Sequence, residues 1–201
     1  FASCGPYTLP NITGTDLTGA EAYYDATGGP AVANVVSGPI TSDMDVFIYD
    51  GASGCSDEEM VSITINTLPT VTSVTGGGTY CASDVANDIL VDVTGSADWS
   101  IDYTLDGLAQ SATGTASPIN LGNAAGVYIV NIVTDLNCNN TASGTQTVVV
   151  NPLPTVSLGA LGTVCVYDSP VTLTSGSPAS GTYSGTSVTG TSFDPAVGIG
   201  S

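Results

Sequence analysis

The chain has 201 residues and a formal net charge of −18, with 18 acidic side chains and no lysine, arginine or histidine. Soluble proteins ordinarily carry about a quarter charged residues of both signs; their one-sidedness here excludes nucleic-acid binding through phosphates, capture of anionic membranes by basic clusters and most acid–base or nucleophile-activating catalysis. Hydrophobic residues make up 42%, yet no apolar run approaches the roughly 18 residues needed to cross a bilayer.

In chain order, Gly19–Ala26 is the one stretch that tempts a helix, but it stops at Gly28-Gly29-Pro30 and reads as a strand or irregular edge. Asp45–Tyr49 is a strand leading into a turn at Asp50-Gly51, and Val61, Ile63 and Ile65 mark the strand that closes this region. Ile89, Val91 and Val93 form a core face with Asp88 and Asp92 outside. Trp99–Asp106 alternates without a break: Trp99, Ile101, Tyr103 and Leu105 point inward, Asp98, Asp102 and Asp106 outward, and the chain turns at Asp106-Gly107. Gly126–Val133 is apolar on both faces and reads as a central strand. Short strands separated by Gly, Asn, Asp and Pro clusters predict an all-β sandwich, and the abundant serine and threonine suit exposed strand faces.

One junction occurs twice. Asn66-Thr67-Leu68-Pro69-Thr70-Val71 and Asn151-Pro152-Leu153-Pro154-Thr155-Val156 lie 85 residues apart, each after an apolar alternating run and each followed by a cysteine, Cys81 or Cys165. A fixed period of this length means a tandem array. Its phase divides the chain into residues 1–67, 68–151 and 152–201, with the middle module complete and the outer two incomplete. Proline restricts its own φ and the residue before it, so the connectors are expected to be short and stiff, and stiff links in series give a rod.

The five cysteines are Cys4, Cys55, Cys81, Cys138 and Cys165. Spacing alone leaves several connectivities open, and free buried thiols as well. The modular division narrows them to Cys4–Cys55 and Cys81–Cys138, with the partner of Cys165 outside this stretch. Zinc is disfavoured by the lack of histidine and of a Cys-x-x-Cys pair. Disulfides place the protein outside the cytoplasm, and each is expected to contribute about 4 kcal/mol to a small module.

Calcium has candidate ligands in Asp57, Glu58 and Glu59 beside Cys55, and in Asp43 and Asp45 with Asp50. The simpler account of these acids is that they hold water and discourage edge-to-edge strand pairing. The carboxylate pairs Asp43/Asp45 and Asp98/Asp102 satisfy the count needed by a glycosidase, but alternation turns them toward solvent, so no catalytic residues and no cofactor are expected. For ligand binding, Tyr23-Tyr24 is the sole aromatic pair and Trp99 reads as core.

Taken together, the Asn-x-Leu-Pro-Thr connector, Tyr80-Cys81, Asp98–Tyr103, Ser117-Pro118-Ile119-Asn120-Leu121, Asp135-Leu136-Asn137-Cys138, Thr182–Thr186 and Ser192–Ala196 resemble the immunoglobulin-like and PKD-like repeats of very large surface proteins of Bacteroidota, usually exported by type IX secretion. The resemblance implies a fold of tandem Ig-like β-sandwich modules in a rod, an extracellular or cell-surface location, and service as the shaft of an adhesin or filament in gliding, attachment or prey capture. Expected partners are neighbouring modules and further copies bundled laterally; nucleic acid and membrane insertion are not expected. A carbohydrate-binding or calcium-dependent adhesive module is the alternative. Because Cys138 sits in a turn-like Asp-Leu-Asn-Cys-Asn-Asn segment, its bridge is expected to pin an edge or end of the sandwich, unlike the mid-sheet bridge of antibody domains.

Overall fold

The computed structural model describes residues 1–52 and 55–197. Strands supply its regular structure, and the described helical elements are two single 3-10 turns, Gly29–Ala31 and Pro195–Val197. No helix among the described residues is long and apolar enough to cross a membrane. The chain forms two compact units: Phe1–Tyr80 with Val85–Val149, and Cys81–Asp84 with Val150–Ser201.

The first unit contains two separate hydrophobic cores. Its N-terminal core belongs to a four-stranded sheet made of β1 (Ala2–Cys4), β2 (Ala22–Tyr24), β3 (Met44–Ala52) and β4 (Cys55–Asn66), in the order β1-β4-β3-β2. Ala22–Tyr24 is thus an edge strand, as its sequence indicates. Strand β1 runs parallel to β4, pairing Cys4 with Asn66. Ile40, Val46 and Ile63 are buried at the centre, with Tyr7, Tyr23 and Met44 packed around them. One expectation fails here: Asp50-Gly51 does not turn. The β3–β4 ladder continues through Asp50↔Asp57 and Gly51↔Ser56 to Ala52↔Cys55. Asp50 is held by a different segment, its carboxylate accepting the backbone N–H and the hydroxyl of Thr18.

The second core is a two-sheet sandwich. Strands β5 (Thr70–Thr75), β7 (Ile89–Thr94) and β10 (Ile119–Gly122) form one sheet in the order β10-β7-β5. Strands β6 (Gly78–Cys81), β8 (Trp99–Leu105), β9 (Leu108–Gly114), β11 (Gly126–Thr134) and β12 (Asn139–Asn151) form the other, ordered β6-β12-β11-β8-β9. With β5 as the first strand of the sandwich, the larger sheet runs second–last–penultimate–fourth–fifth, and its last two strands lie side by side next to a mid-chain strand as in immunoglobulin-type sandwiches. Ile89, Val91, Ile101, Ile119, Tyr128, Val130, Val133 and Val148 fill the space between them. Stacking of Tyr103 on Tyr128 closes one region of the interior, and their hydroxyls donate to the carbonyls of Leu121 and Ala124. Asp106 and Gly107 adopt φ of 50° and 80° between Leu105 and its partner Leu108, the conformation a two-residue hairpin demands.

Strand β11 is central, but only one of its faces is covered. Tyr128, Val130 and Val133 are buried while Val127, Ile129 and Ile132 remain partly open to solvent. A register shift between Val130 and Ile132 explains the three-residue step between buried valines.

The second unit carries β13 (Ser157–Leu158) paired with β15 (Gly176–Ser177), and β14 (Val171–Thr172), β17 (Ser192–Phe193) and β16 (Val188–Thr189) in a small antiparallel sheet. Strands this short bury little: Leu173 is covered, whereas Val156, Leu158 and Tyr167 are exposed.

Candidate functional site at the module junction

Cys4 and Cys138 are disulfide-bonded, with their Cα atoms 5.7 Å apart. This overturns the pairings Cys4–Cys55 and Cys81–Cys138, because Cys55, Cys81 and Cys165 are exposed free thiols. The reason is the sheet register. Cys4 lies beside Asn66, the last residue of β4, whereas Cys55 is the first residue of that 12-residue strand. At about 3.3 Å per residue the two stand roughly 35 Å apart, far beyond the Cα separation of about 7 Å that a disulfide tolerates. Module two repeats the arrangement. The residue after Cys81 donates its amide to the carbonyl of Asn151, at one end of β12, and Cys138 precedes the opposite end, Asn139. The bond instead joins the sheet of the first core to an end of the two-sheet sandwich.

Asp135 builds the turn that presents Cys138. Four residues, Asp135 to Cys138, connect the paired ends Thr134 and Asn139 of the β11–β12 hairpin. The Asp135 side chain is only 6% exposed. Its Oδ1 accepts the amides of Cys138 (2.7 Å) and Asn137 (2.9 Å), and its Oδ2 accepts the amide of Ser96 (2.9 Å). Its own N–H donates to the Cys138 carbonyl. Burial pushes this carboxyl upward, but the three amides of Ser96, Cys138 and Asn137 together outweigh burial and hold it below its ordinary value. Two carboxylate oxygens thus organise two turns and the cysteine between modules.

The neighbouring backbone must come close for this to happen. Gly95 has φ of +115°, and a Cβ there would stand 2.5 Å from Asp135 Oδ2 and 3.1 Å from Pro69 Cβ. Pro69, the connector proline, is buried, and its carbonyl accepts the side-chain amide of Asn140 at 3.0 Å. The Asn137 side chain donates to Ser96 Oγ at 3.2 Å. These contacts all lie within residues 68–151 and make a packed, hydrogen-bonded end of the sandwich, to which Cys4 is joined by the disulfide.

The other sequence-level candidates lie elsewhere and are not brought together. Glu58 accepts from the Thr27 hydroxyl and the Gly28 amide, and Asp57 from the Glu58 amide. Asp43 accepts the Ile65 amide at 2.7 Å, and Asp45 the Ser62 hydroxyl. Glu59 pairs with Ile48 on the neighbouring strand. Among the described residues no three acidic or cysteine side chains converge in a metal-binding geometry. Tyr24 is buried and Tyr23 packs on the first core, its hydroxyl donating to the Pro10 carbonyl. Trp99 packs on the second core with its indole N–H directed to the Thr94 carbonyl. These three aromatics do not assemble into a ligand platform.

Sequence reading passed over Asp135, Gly95 and Ser96 as functional residues. A signal for the first was present: an acid three residues before a cysteine, able to cap the intervening amides as an Asx-type turn. The same spacing, in reverse order, recurs as Cys81-x-x-Asp84 and Cys165-x-x-Asp168. There Asp Oδ2 accepts the cysteine amide at 3.1 and 2.6 Å.

No protein-family model matches the chain, and no curated protein matches its sequence. Several solved structures of Ig-domain proteins are similar at a distance. The N-terminal four Ig domains of Dscam1 isoform 9.44 align over 75% of this chain and 43% of theirs, with 11% identity and a TM-score of 0.34. Isoform 7.44 gives 10% identity and a TM-score of 0.35 over the same shares. The titin domains z1z2, solved in complex with telethonin, align over 75% of this chain and 92% of theirs, with 12% identity and a TM-score of 0.30. The chain spans less than half the length of those Dscam1 structures, and likenesses this remote carry no argument about family or role.

Proposed function

We propose that this chain is a stretch of the load-bearing shaft of an extracellular filament or adhesin, and that its work is mechanical and not catalytic. The observation that carries this reading is the Cys4–Cys138 bond across the junction of consecutive modules. A binding domain needs a presented surface; a shaft needs neighbouring modules that do not separate under tension. Force entering near Phe1 meets Cys4 after three residues and crosses directly to Cys138, bypassing the intervening 134-residue separation. The buried Pro69 and the Asp135 turn hold the end of the sandwich that Cys138 offers to this bond. The Leu-Pro-Thr connector recurs after 85 residues, and stiff joints in series give a rod.

The location proposed is outside the cytoplasm, where a structural disulfide persists, and the repeat resemblance extends the reading to type IX-exported surface proteins of Bacteroidota. The open apolar face of Val127, Ile129 and Ile132 supports lateral association of copies. Such association requires salt to screen the charge of −18. Light scattering at native salt is expected to show oligomers, and a persistent monomer sinks that part. No resident cofactor is needed; calcium enters this reading only as a counter-ion for strand-borne acids. Immunogold labelling of intact source cells with antibody against residues 68–151 tests the whole. Label along extended surface filaments is the expected result, and intact cells bare of label, with label appearing only inside sectioned cells, refute it.

A further inference from the structure

Cys4 is one half of a bonded pair whose halves each have a structural counterpart elsewhere in the chain. Its counterpart is Cys81. Cys4 ends β1 and Cys81 ends β6. The next residue in each case donates its amide to the carbonyl of the junction asparagine: Gly5 to Asn66 at 2.9 Å, and Ala82 to Asn151 at 2.8 Å. Cys138 has its counterpart in Cys55, since both stand at the start of the last strand of a hairpin. The two classes differ in place: a head cysteine at the exit end of its module, a hairpin cysteine at the entry end of its own. Cys4–Cys138 joins the head of one module to the hairpin of the next.

The surroundings of Cys81 carry the same logic forward. Cys81–Asp84 belongs to one compact unit with Val150–Ser201. Cys81 is exposed, as is Cys55; Ala82 is bonded to Asn151, the last residue of β12, whereas Cys138 precedes its first.

We infer that Cys81 is the head half of the next clamp, and that it bonds the hairpin cysteine of the module that follows module two. Cys55 correspondingly accepts the head cysteine of a preceding module. The array is then a staggered disulfide ladder. The loop closed by Cys4–Cys138 contains Cys81, so successive loops overlap and no module lies outside a cross-linked loop. In each step two thiols lose two protons and two electrons to form one S–S bond, and an oxidised extracytoplasmic dithiol oxidoreductase takes them up and leaves as a dithiol. The ladder rests on the shaft reading and specifies how its modules are joined.

Disulfide mapping of the full-length natural polypeptide tests it. The unreduced protein is alkylated under denaturing conditions, digested and analysed by mass spectrometry before and after reduction. The expected result is a reducible peptide pair joining Cys81 to a hairpin cysteine one repeat beyond Cys138, together with the Cys4–Cys138 pair. Recovery of Cys81 joined to Cys138, or of Cys81 alkylated, overturns the ladder. Cys81 alkylated beside an intact Cys4–Cys138 pair overturns the ladder and leaves the shaft standing, whereas Cys81 joined to Cys138 removes the bond on which the shaft reading rests and overturns both.

Discussion

Breaking the junction bond by Cys4→Ser should lengthen the protein under tension by a calculable amount. The two sulfurs are separated by 134 positions in sequence. While they are bonded, force applied at the chain ends cannot extend the residues between them. A fully extended chain spans about 3.3–3.6 Å per residue, so the loop stores roughly 450 Å of contour length. Single-molecule force spectroscopy with tethers at both termini should show the parent, unreduced, lacking this extension. Cys4→Ser should release it, less the end-to-end distance of the folded modules, and reductant should convert the parent to the variant's behaviour. The same substitution removes a constraint on the unfolded chain worth about 5 kcal/mol in the chain-entropy model. Equal total extension of the unreduced parent and the variant would show that load does not pass through Cys4–Cys138, and the mechanical argument would fail.

Other outcomes follow from the same end of the sandwich and its surroundings. Asp135→Ala strips three amides of their acceptor and should cost about 3 kcal/mol in the denaturation of module two, read through Trp99, the single tryptophan of the chain; Asp135→Asn should cost less, because one oxygen remains. Since the folded Asp135 carboxyl lies below its ordinary value, the unfolded chain binds the extra proton. Its contribution is therefore complete above the unfolded value of about 3.9 and is lost as pH falls below it. The acid limb of stability should flatten in Asp135→Asn, and an unchanged limb would assign acid sensitivity to other carboxylates. Gly95→Ala places a Cβ against Asp135 Oδ2 in left-handed backbone and should destabilise module two by about 2 kcal/mol; a neutral effect by urea titration would mean this end of the sandwich is loosely packed. Raising salt from millimolar to about 0.5 M should raise the melting temperature, because a charge of −18 has no side-chain cation to offset it. At alkaline pH, burial and then the neighbouring Tyr103 raise the Tyr128 hydroxyl. Its contribution is complete below the usual tyrosine value of about 10 and lost above it, and Tyr128→Phe should shift that alkaline limb in circular dichroism.

Strand identity was legible because alternation is local. Ile89, Val91, Ile101 and Tyr103 face the core as their spacing requires, and Asp106-Gly107 turns because no other pair there tolerates the backbone so readily. Alternation failed where a distant partner decided the outcome. Asp50-Gly51 stays extended because β4 pairs along its whole length and Thr18 occupies the aspartate. Gly126–Val133 leaves Val127, Ile129 and Ile132 partly open although the run is apolar on both sides.

The sequence by itself determined an all-β chain with a repeated junction, no cationic chemistry and cysteines recurring with the repeat. Those properties are carried by residue type and spacing along one dimension. Only the tertiary structure decided which cysteines meet. Cys4 and Cys55 share a sheet yet lie at opposite ends of β4, while Cys4 and Cys138 belong to sheets around different cores and bond. Proximity in a sheet is set by strand register and length, which bring residues far apart in sequence together and hold nearer ones apart.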